Sequence, residues 1–561
     1  MPARVAVVAY RDGIAEPILD ALRRSAGVEL CERVPIDPQG IDAVAFSRYN
    51  TIVYSALPAA GPSTGPDLGT ARAVCQRLAS LPLRHVVTIS SAAVYSPSHQ
   101  NLGLLEERAF IPSRRSAIAD GWRDVEQMSA LISQRSGAAP PVRSILRPAA
   151  VLDGVDYFSR LLGGRVAVTY PGHDPTIQLL SPCDLADAIA AVIAAGRGGT
   201  FNVVPTAGVP LRAALRIAGV KRLPIGRVAQ NAVRAITSQA GLAVSADQLK
   251  YIQYSWTVSG EKIRRELGFV PSRSSVQAIV ECIGRGTPAD AAKQFDDFGM
   301  DPDYIRRYCG HLFRFLHDYY WRVEIDGISE VPRKGRGVLV GMHRGFMPFD
   351  GVMALHALVT RRGRIPRFLI HPSLTKFPFL ADFMAKLGGI MACQEHGDYV
   401  LQHDELLGVF PEGIRGTFTM YKRAYMLGKF GRDEFVRMAL RNRAPILPFV
   451  TVGSAEIYPI LRRVDWRWFK RYTEWPFLPI TPAPFPLPSK WHTRYLPAMH
   501  VEEQYPPEAA EDPALVHRIS LEVRQRMQAA IDDMLLRRRS IFFGSIFEQA
   551  RPPEGEEAAS I

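Results

Sequence analysis

Two short segments hold the residues whose types and spacing could carry a reaction. One is His343-Arg344-Gly345-Phe346-Met347-Pro348-Phe349-Asp350, and the other is Phe410-Pro411-Glu412-Gly413-Ile414-Arg415. A neutral imidazole can take the proton of a hydroxyl as that hydroxyl attacks a carbonyl. A carboxylate on the other ring nitrogen fixes the tautomer and stabilises the imidazolium. Six residues separate His343 from Asp350. Were they all helical, the pair would stand about two turns, or roughly 10 Å, apart. Contact therefore requires residues 344–347 to loop back, which Gly345 and Pro348 permit. The alternative is that Asp350 only caps a helix N-terminus. In the second segment Gly413 is free to take a positive φ, and Arg415, with Lys422 or Arg423 beyond, offers cations suited to phosphate oxygens.

Particular elements must deliver these groups. Gly337–Met342 reads as a short buried strand ending at His343. Pro348 is suited to the first position of a helix running through Leu358. Leu406–Phe410 is a second apolar strand, from which Pro411-Glu412-Gly413 turns away. With these elements in place, the His…Asp pair followed by Phe-Pro-Glu-Gly resembles the phospholipid/glycerol acyltransferase family, over roughly residues 300–545. Two further segments are similar to family motifs: Pro378-Phe379-Leu380 through Gly388-Gly389-Ile390, and Pro445-Ile446-Leu447-Pro448. The family's usual spacing is His-x-x-x-x-Asp, so the present spacing is a departure. The resemblance implies transfer of a fatty acyl group from acyl-CoA or acyl carrier protein to a hydroxyl of a glycerolipid or lipid alcohol, with His343 as general base and Asp350 as its partner. It places Phe410, Pro411, Glu412, Gly413, Arg415 and Lys422 at the substrate, and implies no metal and no required cofactor. Gln394 stands where the family has an Arg that contacts glycerol phosphate, which weakens the case for lysophosphatidate as acceptor. The Tyr421-Lys422-Arg423 continuation is nearer the diacylglycerol acyltransferase and phytyl ester synthase branch.

The first half is patterned differently. Val5–Tyr10, Val28–Arg33, Thr51–Ala56 and His85–Ser90 are apolar strands separated by helical stretches, a βαβ pattern with a parallel sheet. Ser90-Ser91-Ala92-Ala93-Val94-Tyr95, Leu146-Arg147-Pro148, Cys183-Asp184-Leu185-Ala186 and Glu266-Leu267-Gly268-Phe269-Val270-Pro271 resemble the extended short-chain dehydrogenase/NAD-dependent epimerase family over residues 1–285. Its first turn needs glycines so that the backbone can approach a pyrophosphate. Here those positions are Ala9, Asp12 and Ala15, with one displaced Gly13. Glu32 could take a ribose hydroxyl, and Ser91 survives from the family's catalytic set. The Tyr-x-x-x-Lys pair is absent, since Ser116–Trp122 holds neither residue. The resemblance thus implies a degenerate domain without hydride chemistry, with NAD(P) binding by Gly13, Glu32 and Ser91 in doubt. The fold class expected is α/β, a Rossmann-like parallel sheet domain followed by an α/β acyltransferase domain. The expected boundaries are 1–285, a linker at 286–300, 301–545, and a disordered tail at 546–561.

The bulk properties bound the answer. A chain of 561 residues exceeds one core, and 47% hydrophobic with 22% charged residues is ordinary globular composition. A net charge of +13 suits anionic headgroups or an acidic substrate. Nucleic acid is the weakest candidate, because no recognition module accompanies the charge. The six cysteines are scattered without metal spacing, which points to reduced thiols in the cytoplasm. No secretory signal is read at the N-terminus, and the longest apolar runs fall short of the about 20 residues a membrane span needs. Trp466–Lys470 and Trp475–Pro479 form an aromatic and basic cluster read as a membrane docking face, to which Val516–Arg539 could add. Tyr304–Tyr320 is read as a helix covering the core of the second domain. The expected location is peripheral, on the cytoplasmic face of a membrane. Two other functions fit the sequence, an NAD(P)-dependent epimerase or oxidoreductase anchored by its second half, and a non-catalytic lipid-binding scaffold.

Overall fold

The computed structural model describes residues 2–547 except 10, 35–45, 47, 58–64, 80, 99–100, 102, 110–115, 136–139, 226–245, 284–294, 346, 372–373, 375–376, 378, 432 and 474. Most of the expected linker and nearly all of the expected tail, together with Pro378, lie outside these residues. The chain forms two compact units, residues 1–302 with 374–387, and residues 303–373 with 388–561.

The first unit is built on a six-stranded sheet of β1 (Ala3–Val8), β2 (Val28–Arg33), β3 (Thr51–Ser55), β4 (His85–Ile89), β5 (Val142–Pro148) and β6 (Gly199–Val203). All neighbours are parallel, in the order β6-β5-β4-β3-β1-β2. Helices α1 (Asp12–Arg24), α2 (Leu68–Leu78), α3 (Ala117–Arg135) and α4 (Pro182–Ala195) supply the crossovers and cover. Burial on both faces explains why the central strands read as unbroken apolar runs: Val5, Ala6, Val7 and Val8 are all buried. Caps fix the helix ends. Asp67 accepts from the Gly69 and Thr70 amides at the start of α2, and Gly196 closes α4 with φ +58°. The strand order reverses between β1 and β3, the place where doubly wound sheets open a crevice. The Rossmann-like expectation holds. Residues 374–387 belong to this unit as well. Phe379 N donates to Gly172 O (2.8 Å), Asp301 N donates to Lys386 O (3.1 Å), and Arg212 pairs with Asp382 at 2.5 Å.

The second unit holds a seven-stranded sheet of β7 (Glu324–Asp326), β8 (Gly337–Gly341), β9 (Arg367–Ile370), β10 (Ile390–Met391), β11 (Leu406–Val409), β12 (Ile446–Val452) and, after a separate hairpin of β13 (Arg462–Val464) and β14 (Leu478–Ile480), β15 (His492–Tyr495). Its order is β7-β15-β12-β8-β11-β9-β10, with only the β12–β15 pair antiparallel. Around it lie α5 (Phe349–Arg362), α6 (Gln394–Gln402), α7 (Glu434–Arg441), α8 (Arg467–Thr473) and α9 (Pro513–Arg537).

The helix that begins at Pro302 continues as π turns over Cys309–Phe313 and Phe315–Tyr320. Ile305, Cys309, Phe313 and His317 are buried at every fourth position, while Phe315 and Tyr319 are exposed. A 3.6-residue turn would drift off that stripe, and the wider π turn keeps it facing inward. In α9, Val516, Ile519, Val523, Met527 and Ile531 are buried. α9 runs into Arg537-Arg538-Arg539, of which Arg537 and Arg539 are exposed. Arg538 is buried in an ion pair with Glu456 (2.5 Å), and Arg537 pairs with Asp533 (3.0 Å). Among the described residues, no helix is long and apolar enough to cross a membrane.

Candidate active site

β8 and β11 are parallel neighbours, with Val340 opposite Val409, so the chain leaves both strands on the same edge of the sheet. His343 follows β8, and Phe410 follows β11. Their rings stack with centroids 4.6 Å apart at an angle of 26°. Gly341 allows the approach, since a Cβ there would meet the Phe449 ring and lie 2.8 Å from the Phe410 ring. His343 Nδ1 is 3.1 Å from Asp350 Oδ2. The loop closes the long sequence gap as follows. Gly345 takes φ +81°, Met347 N donates to Gly345 O (2.6 Å), and Phe349 N donates to Met347 O (2.8 Å), which places Asp350 in the first turn of α5. The Asp350 side chain is fully buried, and its Oδ2 also accepts from the Arg344 amide at 2.7 Å. Nδ1 is engaged by the carboxylate, and Nε2 of the slightly exposed ring has no partner among the described residues.

Arg344 joins the two sequence motifs. Its guanidinium is almost fully buried and meets Glu412 through both carboxylate oxygens, at 2.6 and 3.1 Å. It also donates to the carbonyls of His343 (2.7 Å), Met426 (3.2 Å) and Ala424. Glu412 Oε1 accepts in addition from the Gly428 amide at 2.7 Å. Glu412, assigned to the substrate on sequence, is thus turned inward, and the Phe-Pro-Glu-Gly turn is clamped to the loop carrying His343. Sequence reading passed over Arg344. The available signal was a cation directly after the candidate base, with an acid at the equivalent place in the other motif. Bidentate pairing of opposite charges is the arrangement that makes such a buried arginine tolerable.

Residues 322–452 match the family model described as Acyltransferase. The chain is 35% identical over 259 residues to "Uncharacterized protein Rv0502" of Mycobacterium tuberculosis, covering 44% of this chain and 72% of that protein. A second protein of that organism, "Uncharacterized protein Rv0501", is 27% identical over 293 residues, covering 49% and 76% respectively. The chain belongs to the acyltransferase family. Among solved structures, "MoeE5 in complex with UDP-glucuronic acid and NAD" aligns with 49% of the chain and 96% of its own length, at 14% identity and a TM-score of 0.39.

Within the acyltransferase domain, the other sequence-chosen residues divide in two. Gly413 takes φ +56° and, with Arg415, is exposed beyond the turn. Lys422 and Arg423 are exposed on a single helical turn, Tyr421–Arg423. Pro411 is part-buried, and its carbonyl accepts from the Gly431 amide at 3.0 Å. Gln394, by contrast, begins α6 half-buried, with its carboxamide beside the Arg441 guanidinium. The structure therefore brings His343, Asp350 and Phe410 together, leaves Arg415 and Lys422 at the surface, and sets Gln394 beside Arg441.

The residues at the first unit's crevice do not fit a dinucleotide. Arg11 precedes α1 and forms a buried 2.6 Å ion pair with Asp153. A Cβ at Gly13 would lie 2.5 Å from Asp153 O, so the Asp153 segment already covers the first turn where a pyrophosphate would sit. Asp12, in that turn, pairs with Arg33 at 2.5 Å. Glu32 accepts from the Tyr49 hydroxyl, and burial, together with this bond, pushes the phenol up to about 12. Ser91 caps the turn Ala92–Tyr95 by accepting from the Ala93 amide (3.1 Å). Tyr95 and Arg147 are also engaged internally. Arg147 is bound to Glu126 at 2.7 and 2.8 Å and to the Tyr95 hydroxyl at 2.8 Å.

Proposed function

We propose that the second unit transfers a fatty acyl group from acyl-CoA or acyl carrier protein to a hydroxyl of a glycerolipid or lipid alcohol, with His343 as general base. The observation that carries this reading is the 3.1 Å contact between His343 Nδ1 and the buried Asp350 carboxylate, beside the Phe410–Gly413 turn. Asp350 accepts a hydrogen bond from Nδ1–H and so turns the unprotonated Nε2 of a neutral ring to the acceptor. Nε2 takes the hydroxyl proton as the oxygen forms its bond to the thioester carbonyl carbon. The carbon–sulfur bond then breaks, and the proton passes from Nε2 to the departing thiolate. Phe410, stacked on the imidazole, fixes the plane of the ring. Exposed Arg415 and Lys422 are placed to meet phosphate oxygens of the donor or of an anionic headgroup.

The test is acyl transfer from radiolabelled acyl-CoA to a panel of lipid alcohols and diacylglycerols. His343→Ala, with an unchanged circular dichroism spectrum, is expected to lose turnover by about 10²–10⁴-fold. Turnover at the parent rate would remove His343 as the base, and lipid binding without turnover by the parent would favour a non-catalytic scaffold. For the first unit we infer a structural role without a dinucleotide. Titration of the full chain with NADH and NADPH should show no saturable change in nicotinamide fluorescence, and a saturable change would reverse that inference.

A further inference from the structure

An aromatic and basic hairpin lies beside the candidate active site. β13 and β14 pair antiparallel, Arg463 opposite Pro479, with α8 between them. Leu461, Val464, Trp466, Trp468 and Ile480 are all exposed, Trp468 to 63%. Three cations, Arg462, Arg463 and Arg467, are interleaved with them and exposed as well. The hairpin is not a detached flap. Tyr421 N donates to Ile460 O (3.0 Å), and Phe418 packs against Trp475 and Phe477 at 5.4 and 5.3 Å. Phe418 and Tyr421 belong to the stretch that follows the Phe-Pro-Glu-Gly turn, so the hairpin's inner face is anchored on the segment that carries Arg415 and Lys422.

We propose that this hairpin is an interfacial anchor whose partner is an anionic lipid bilayer, and that it seats the entrance of the acyltransferase site at the membrane surface. Tryptophan has an apolar body and a polar N–H, and its most favourable position is the headgroup boundary. Arginine beside it gains from the negative surface potential. A solvent-facing cluster of this size costs solubility unless something covers it, and the interleaved guanidinium groups fit an anionic layer rather than the apolar face of another protein. Arg415, Lys422 and Arg423 extend the positive charge toward the site. The anchor itself is read from exposure and charge alone. Its link to an acceptor held in the bilayer rests on the transfer reaction proposed above.

The experiment is co-sedimentation of the full-length protein with vesicles of phosphatidylcholine, alone or with about a third phosphatidylglycerol. Binding should favour the anionic vesicles and weaken with salt. The R462Q/R463Q/R467Q variant should lose about a hundredfold in partitioning, on the order of fivefold per arginine. W466A/W468A should lose about tenfold. The unaltered protein gives a second reading that does not depend on a variant folding. Trp122, Trp321 and Trp491 are fully buried and Trp256 nearly so, which leaves the hairpin tryptophans as the exposed ones. Brominated phosphatidylcholine in anionic vesicles should therefore quench the fluorescence. Equal binding to both vesicle types, parental binding by both variants, or absence of quenching would overturn the proposal. So would a change in oligomeric state on W466A/W468A without vesicle binding by the parent, because the face would then be a protein interface. His343→Ala separates the two readings, since it should sediment with anionic vesicles like the parent whether or not acyl transfer is detected.

Discussion

Replacing Arg344 by Met removes one half of a buried charge pair and leaves the other. In the intact protein the side chains of Arg344 and Glu412 are only 1% and 4% exposed, and Glu412 takes both of its charged bonds from Arg344. After the change Glu412 keeps the Gly428 amide, and the carbonyls of His343, Ala424 and Met426 lose their donor. An uncompensated buried charge costs about 3–5 kcal/mol. The double variant R344M/E412M removes both charges and leaves mainly unsatisfied backbone groups, at about 1–3 kcal/mol. It should therefore be more stable than R344M, with a coupling of at least about 2 kcal/mol in the cycle. Urea unfolding supplies the measurement. The stacked Trp321–Trp491 pair, with centroids 4.7 Å apart and both rings fully buried, contributes a near-ultraviolet dichroism signal from the second unit. Turnover should fall as well, by about a hundredfold if the His343 loop moves by about 1 Å. R344M within about 1 kcal/mol of the parent, or a double variant at the sum of the singles, would refute the clamp.

Two further outcomes follow from the same geometry. Asp350→Asn keeps the shape but loses the charge that holds the His343 tautomer. It should lower kcat by about 10²–10⁴-fold with little change in KM for the thioester, as measured by steady-state kinetics, and a drop below tenfold would count against the dyad. The second concerns pH. Burial pushes His356 down to about 4 and lowers the adjacent His317, whose ring centroid is 4.9 Å away. Between the ordinary value of about 6.5 and about 4 the unfolded chain binds protons that the folded chain refuses, so stability falls as pH drops through that window. Thermal unfolding followed by the same dichroism probe should show a lower Tm at pH 5 than at pH 7.5. Burial also pushes His85 and His396 down to about 4, so His356→Phe should reduce the difference without abolishing it, and an equal pH response in that variant would assign the effect to the other histidines.

What the sequence revealed and what it hid have physical causes. Strands buried on both faces announce themselves as apolar runs, so Val5–Val8 and Gly337–Gly341 were readable, together with the parallel class of the first sheet. His343 was readable because few residue types can act as a base at neutral pH. Its distance to Asp350 was not, because spacing arguments assume a regular element. The contact depends instead on Gly345 at φ +81° and on two short backbone turns, a choice made by packing. The direction in which a polar side chain faces was least readable. Glu412 and Gln394 look like ligands in one dimension, yet Arg344, distant in sequence, takes up the first and Arg441 lies beside the second.

The same reasoning applies to the segments of the first unit that resemble a family pattern on sequence. The features that made Leu146-Arg147-Pro148 and Cys183-Asp184-Leu185 recognisable serve the fold directly. Arg147 is bound to Glu126 and Tyr95, and Asp184 accepts from the Ser272 amide and hydroxyl at 3.0 and 2.6 Å. Residues that hold strand ends and helix starts together persist because unpairing a buried charge is costly. Glycines that serve only the approach of a pyrophosphate carry no such penalty. Their places around α1 are taken by Asp12 and by the Arg11–Asp153 pair, which fill the helix N-terminus with the protein's own charges. The motifs that mark this fold are thus those that stabilise it. In such a chain they testify to architecture, whereas the proposed base, His343, stands just beyond the end of β8 with no partner on Nε2 among the described residues.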